Sequence, residues 1–154
     1  MTTTTTTTTT TTPITANLGA HLLDEHVRLA SFCDDVLATF EAGDREACDA
    51  AFRELETRLD QHLTFEDREL LPALAKIDAK EAEALAADHR RLRARLTELG
   101  VGVDLHATRA HNVRALLADL AVHARREGEL MYRWAGEAFD EPTRRTWLRR
   151  LRTW

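Results

Sequence analysis

A chain of 154 residues, of which 44% are hydrophobic, is long enough to bury the core of one globular domain. Its formal charge of −5 gives no reason to expect a nucleic-acid partner, and its two cysteines are too few for a disulfide framework. Gly and Pro are scarce while Ala, Leu, Arg and Glu are abundant, so the composition predicts an all-helical protein.

The amino-terminal segment is of low complexity, because residues 2–12 are eleven consecutive threonines. It has neither the basic start nor the apolar centre of a secretory signal, and it cannot bury enough surface to offset its chain entropy. We therefore expect residues 1–17 to form a disordered tail. The chain contains no run of about 18 apolar residues, the length that spans a membrane. We expect no membrane span and a cytoplasmic location.

Apolar residues recur at helical spacing in the first two predicted helices. The first is expected over Leu18–Glu41, before Gly43, with His26 inside its apolar stripe. Asp44 is placed to cap the second helix, and Pro72 is expected to kink or end it. The apolar seam of the second helix consists of Phe52, Leu55, Leu59, His62, Glu66 and Leu70.

Three further helices follow. The third is expected to end at Gly100, and its seam consists of Leu85, His89, Leu92, Leu96 and Leu99. The fourth has a continuous seam of Val113, Leu116, Leu120, His123, Glu127, Leu130 and Trp134. Glu141–Pro142 begins a short amphipathic helix that runs to Trp154 and is expected to pack on the others rather than on a membrane or a partner. Short connections favour antiparallel neighbours, so residues 18–154 are predicted to form an up-down-up-down four-helix bundle with a short C-terminal helix.

Four histidines and two glutamates occupy seam positions where leucine is expected. An ionised carboxylate buried without a partner costs several kcal/mol, whereas carboxylates and neutral imidazoles are good donors to a transition-metal ion. A single such histidine is more simply a hydrogen-bonded core residue, and one His-x-x-x-Glu pair is common on helix surfaces. All six on four helices predict a buried pair of metal ions. The predicted ligands are His26, His62, Glu66, His89, His123 and Glu127.

At these residues the chain resembles the hemerythrin-like (HHE cation-binding) family. The motifs are DEH at Asp24–His26, HLTFEDRELLPAL at His62–Leu74, ADH at Ala87–His89 and HARRE at His123–Glu127. The likeness covers residues from about 18 to 139. It implies a four-helix bundle with a non-heme di-iron centre, in which both glutamates bridge two iron ions that also share an oxo or hydroxo group.

Two positions depart from the oxygen-carrying members of that family. Those proteins have a second ligand histidine on the third helix where this chain has Arg93. Their last carboxylate lies five residues after its histidine, where this chain has Gly128, and here the carboxylate is Glu127. The site is closer to that of members associated with iron–sulfur repair, peroxide and nitric oxide, although the cysteine-bearing domain of the repair proteins is missing.

The resemblance implies a protein that binds or reacts with oxygen, hydrogen peroxide or nitric oxide, with possible peroxide-decomposing activity. With two histidines, two bridging carboxylates and a shared oxo group, each ion would keep one open position. The alternatives are a sensor or iron-handling protein without turnover, and a helical bundle that binds no metal. A protein partner is not identifiable from the sequence.

Overall fold

The computed structural model describes residues 18–151, apart from the side chains of residues 136 and 137. All the regular structure in this range is helical, so the all-helical prediction is confirmed. The elements are α1 (Leu18–Glu41), α2 (Arg45–Phe65), a π-helical turn (Glu66–Leu70), α3 (Leu71–Leu74), α4 (Ala79–Asp104), α5 (Ala110–Glu129), α6 (Met131–Ala138) and α7 (Glu141–Leu151). No described helix is both long and apolar enough to cross a membrane. The tail predicted for residues 1–17 lies outside the described residues.

The connection between the first two helices follows the sequence prediction. Helix α1 has the predicted bounds, and Gly43 adopts a φ of +71°, a left-handed conformation that glycine tolerates without strain. Asp44 then caps α2, because its carboxylate accepts a hydrogen bond of 3.0 Å from the Ala47 N–H. The next connection is built in the same way, with Asp78 accepting from the Glu81 N–H at 2.9 Å.

The second helix is deformed before Pro72 rather than at it. Over Glu66–Leu70 the chain forms a π-helical turn, in which the Leu71 N–H donates to the Glu66 carbonyl five residues back. Pro72 then lies in the first turn of α3, where its missing N–H leaves no hydrogen bond unmade. The wider turn restarts the helix just before the proline, so the chain continues as a helix to Leu74.

The prediction that the third helix ends at Gly100 is wrong, because α4 continues to Asp104. Gly100 serves close packing instead: a Cβ there would lie 3.1 Å from the Phe52 ring of α2. The helix ends one turn later in a Schellman motif. The Ala107 N–H donates to the Gly102 carbonyl at 2.8 Å, and the intervening His106 adopts a φ of +53°.

The continuous seam predicted for the fourth helix is also wrong beyond Glu127. The helix breaks at Leu130, whose φ and ψ are −115° and −68°, and the Leu130 side chain is 46% exposed. Met131 and Tyr132 are buried in its place. In an unbroken helix Tyr132 would lie about 140° around the axis from Glu127, so the break is what turns the tyrosine inward.

The long helices pack in a closed ring, in which α1 contacts α2 and α5, and α4 also contacts α2 and α5. Their apolar side chains form two separate core clusters. One cluster contains Leu29, Leu59, Leu63, Leu92 and Leu120 among others. The other contains Leu22, Leu70, Leu85, Met131 and Tyr132 together with Trp147, Leu148 and Leu151 of α7. On α1, α4 and α5 the predicted metal ligands lie in sequence between the two clusters. On α2 and the π-helical turn they lie where the two clusters meet, so the six side chains form a polar layer across the middle of the core.

Replacing His106 with glycine is expected to stabilise the protein. A non-glycine residue in the left-handed region costs about 1–2 kcal/mol, and the greater freedom of glycine in the unfolded chain offsets part of the gain. We expect the free energy of unfolding in urea to rise by about 0.5–1 kcal/mol. His111, also exposed but in the first turn of α5, is the control, since glycine there should not raise stability. A decrease for the His106 variant would contradict the strain that we assign to this residue.

Candidate metal centre

The structure brings the six predicted ligands together in the middle of the core. All are buried, His26 being the most exposed at 6%, and both glutamates are fully buried. They come from α1, α2, the π-helical turn, α4 and α5. The other three histidines lie elsewhere, as predicted. His106 and His111 are exposed, whereas His21 is half-buried beside Glu25 rather than solvated.

The six side chains form two halves, each built on one pair of histidines. In the His26–His62 half, the two Nε2 atoms lie 3.0 Å apart. In the His89–His123 half, the two Nε2 atoms lie 3.1 and 3.0 Å from the same oxygen, Oε1 of Glu127. Since imidazole nitrogens from two different helices converge in each half, each half could accept one cation.

Each glutamate presents one oxygen to each half. For Glu66, Oε1 lies 3.5 Å from the Nε2 of His62, and Oε2 lies 3.4 Å from the Nε2 of His89. For Glu127, Oε2 lies 3.2 Å from the Nε2 of His26, and Oε1 lies 3.0 Å from the Nε2 of His123. Both carboxylates therefore span the two halves, which is the arrangement that a carboxylate-bridged pair of ions requires.

The hydrogen bonding of the cluster is incomplete in a way that fits a cation. Glu66 Oε2 and His123 Nε2 are buried, and neither makes a well-aligned hydrogen bond among the described residues, although each has another atom of the cluster within 3.4 Å. Buried polar atoms are normally well paired, so this carboxylate oxygen and this imidazole nitrogen suit a positive ligand. Two groups of side chains have ligand atoms close enough to hold an ion: Glu66, His89, His123 and Glu127, and His26, His62 and Glu127.

The two carboxylates differ in their affinity for protons. Burial raises the pKa of Glu66 to about 7, and the negative charge of Glu127 contributes to the rise. Burial acts in the same direction on Glu127, but hydrogen bonds from His123, His26 and His89 outweigh it and hold the pKa of Glu127 well below its usual range. At neutral pH Glu127 is therefore ionised while Glu66 is partly protonated.

The histidines are also unequal. Burial opposes a charge on His89, but its hydrogen bonds with Glu127 and Glu66 prevail and raise its pKa to about 10. Burial and the neighbouring His26 lower the pKa of His62 well below its usual range. Protons on His89 and Glu66 thus balance the charge of the cluster, and a metal ion would replace them, because it binds the deprotonated forms.

Tyr132 belongs to the cluster, although the sequence did not suggest it. Its hydroxyl lies 2.9 Å from Glu127 Oε2, makes a short hydrogen bond to Glu66 Oε1, and lies 3.2 and 3.3 Å from the Nε2 atoms of His26 and His62. Burial and both carboxylates raise its pKa well above the usual value. Tyr132 is the only tyrosine of the chain, and it follows the second His-x-x-x-Glu pair closely. A regular helix would turn it away from the site, so helical periodicity hides it.

A second missed residue, Asp67, orients one of the predicted ligands. Its Oδ1 lies 2.6 Å from His89 Nδ1, and its Oδ2 accepts a hydrogen bond of 2.7 Å from Arg93. A carboxylate on the outer nitrogen of a histidine fixes the ring so that Nε2 faces the ligand position. Arg93 is therefore an anchor for this carboxylate rather than the freely exposed charge that its sequence context suggests.

A cleft of about 570 Å³ leads to one side of the cluster. It lies between α4 and α5, where its lining includes Asp88, Leu92, Leu99, Asn112 and His123. The imidazole of His123 is a predicted ligand and also part of the cleft wall. The cleft therefore adjoins the cluster on the His89–His123 side.

Comparisons of the chain with protein-family models, with curated proteins and with solved structures find no match. The fold and the site themselves define the chain as an all-helical protein with a buried histidine–glutamate cluster that could hold a metal ion.

The role of Asp67 can be tested by replacing it with asparagine. Removing a carboxylate that orients a metal-bound histidine typically weakens metal binding about 10–100-fold. We expect a loss of this size for Asp67→Asn, measured by competition for ferrous or zinc ions with a chelator. Asp60→Asn is the matched control, because Asp60 also contacts Arg93, at 3.3 Å, but lies outside the cluster. Equal weakening in both variants would show that only the position of Arg93 matters.

Proposed function

We propose that this chain is a hemerythrin-like protein that holds two non-heme iron ions between its histidine pairs and acts on oxygen, hydrogen peroxide or nitric oxide. One observation carries the proposal: each of two fully buried glutamates divides its oxygens between the two histidine pairs. A cluster with a purely structural role would need only paired hydrogen bonds. A site for a single ion would need only one histidine pair and its carboxylate oxygens, so neither alternative requires glutamates that span both pairs. The resemblance in sequence supplies the identity of the metal.

We further propose that α1, α2, α4 and α5 form an up-down-up-down bundle. The order in which the helices pass the two apolar clusters supports this. Along α1 and α4 the chain passes from the cluster with Leu22 and Leu85 to the cluster with Leu29 and Leu92. Along α2 and the residues after it, and along α5 and α6, the order is reversed. Successive long helices therefore run in opposite directions, as short connections favour.

The protein residues have three tasks in this proposal. The four imidazoles and two carboxylates supply nitrogen and oxygen donors, and the two negative charges offset part of the charge of two cations. His89 releases its Nε2 proton on binding, while Asp67 keeps the ring oriented. The apolar clusters above and below the polar layer restrict access to small molecules.

Two iron ions would supply a pair of electrons by cycling between ferrous and ferric states. Such a pair suits the decomposition of hydrogen peroxide, in which one peroxide molecule is reduced to water and a second is oxidised to oxygen. The cleft beside His123 would be the approach for peroxide. We therefore favour peroxide decomposition over reversible oxygen carriage, which also requires the ligand pattern from which Arg93 and Glu127 depart.

The metal content is the first test. Purified protein, reconstituted anaerobically with ferrous iron, should hold close to two iron ions per chain by elemental analysis. His123→Ala should lose most of this iron because it removes a donor from one half. His111→Ala, on the same helix but exposed, should retain it. A wild-type protein that keeps no transition metal after reconstitution would refute the di-iron proposal.

The activity is the second test. Iron-loaded wild-type protein should consume hydrogen peroxide and release one oxygen molecule for every two peroxides, as followed with an oxygen electrode. His89→Ala should lower the rate at least about tenfold, because an aligned donor is lost, while His111→Ala should leave the rate unchanged. A fully loaded protein without turnover would favour a sensing or iron-handling role. A long-lived and reversible spectral change in oxygen would indicate an oxygen carrier instead.

A further inference from the structure

The two halves of the cluster are not equivalent, because among the described residues only one of them contains a protein hydroxyl. The Tyr132 oxygen touches all four ligand atoms of the His26–His62 half, namely the Nε2 atoms of His26 and His62, Glu66 Oε1 and Glu127 Oε2. The side chain is 1% exposed and held between the two carboxylates. A hydroxyl carries one proton, so it can donate to only one of these acceptors at a time.

The other half contrasts with it in two respects. Glu66 Oε2 and His123 Nε2, which belong to the His89–His123 half, make no well-aligned hydrogen bond within the described part of the chain. This half is also the one beside the cleft, since His123 forms part of the cleft wall. The half that adjoins the cleft is therefore the half without the tyrosine.

The distances around the Tyr132 oxygen are those of a coordination shell. Ligand atoms about 2.1 Å from an octahedral ion lie about 3 Å from their neighbours in the shell. The Tyr132 oxygen lies 2.9, 3.2 and 3.3 Å from Glu127 Oε2, His26 Nε2 and His62 Nε2. The two histidine nitrogens lie 3.0 Å from each other. An ion bound by His26 Nε2, His62 Nε2 and Glu127 Oε2 would therefore have the phenol oxygen within its own coordination shell, without a large movement of the ring.

We propose that Tyr132 is a fifth protein ligand of the ion in the His26–His62 half, bound through its phenolate oxygen. The proposal rests on the di-iron function proposed above. When the metal–oxygen bond forms, the O–H bond breaks and the proton passes to solvent. Two histidines, two carboxylates, the phenolate and a shared solvent-derived oxygen then fill six positions. The ion of the His89–His123 half keeps the single open position, next to the cleft.

The spectrum of the ferric protein tests this directly. A phenolate bound to ferric iron gives a visible charge-transfer band, and Tyr132 is the only tyrosine of the chain, so no other residue can produce it. We expect the band in the iron-loaded wild type and its complete loss in Tyr132→Phe. That variant should still hold two iron ions. Azide should bind once per centre in the wild type and twice in the variant, where a second position opens.

A measurement on the unaltered protein covers the case in which the variant fails to fold. Resonance Raman spectra, excited in the visible band, should show phenolate ring modes that shift when the protein is produced with ring-deuterated tyrosine. A wild type with two iron ions but without these modes would overturn the role of Tyr132 and leave the di-iron proposal intact. A wild type that binds no iron would overturn both.

Discussion

The rest of the structure depends on the burial of two carboxylates in an apolar core. Glu66 and Glu127 are fully buried, and an unpaired ionised carboxylate in such a place costs several kcal/mol. Four imidazoles, one phenol and the protons on His89 and Glu66 offset this cost in the structure described here. Each helix must bring its polar side chain to the same level, since a shift of one turn, about 5.4 Å, would place a charge among leucines. The polar layer thus fixes the register of the helices as much as the apolar clusters do.

Both interruptions of the long helices occur next to these carboxylates. The π-helical turn begins at Glu66, and the break at Leu130 follows Glu127 by three residues. Each interruption lies beside a residue that completes the site: Asp67 reaches His89, and Tyr132 reaches the His26–His62 half. Departures from α-helical geometry often mark functional sites, because they aim side chains in directions that a regular helix does not offer.

The two halves of the cluster are consequently unequal, and this inequality has chemical consequences. The resemblance in sequence predicts one open position on each ion, since Arg93 stands where the oxygen carriers have a fifth histidine. Arg93 instead anchors Asp67, and the hydroxyl of Tyr132 lies among the ligand atoms of the opposite half. In our proposal the phenolate of Tyr132 fills the open position of the ion in the His26–His62 half. One open position then remains in the whole centre, on the side that the cleft adjoins. A small oxidant would then meet one accessible ion, with the second ion serving as the partner in electron transfer.

By itself the sequence determined the all-helical class, the bounds of α1, the Asp44 cap of α2, and the six side chains that share the core. These features follow from local spacing and from the choice of His and Glu at seam positions, which no neighbouring helix is needed to interpret. Only the tertiary structure decided the roles of Gly100, Asp67 and Tyr132. In the sequence Gly100 indicates a helix end, whereas in the structure it allows the Phe52 ring to pack closely. Asp67 and Tyr132 would face away from the site on an ideal helix. A periodicity of 3.6 residues predicts which face is buried only while the helix is regular, and at this site a π-helical turn and a helix break interrupt it.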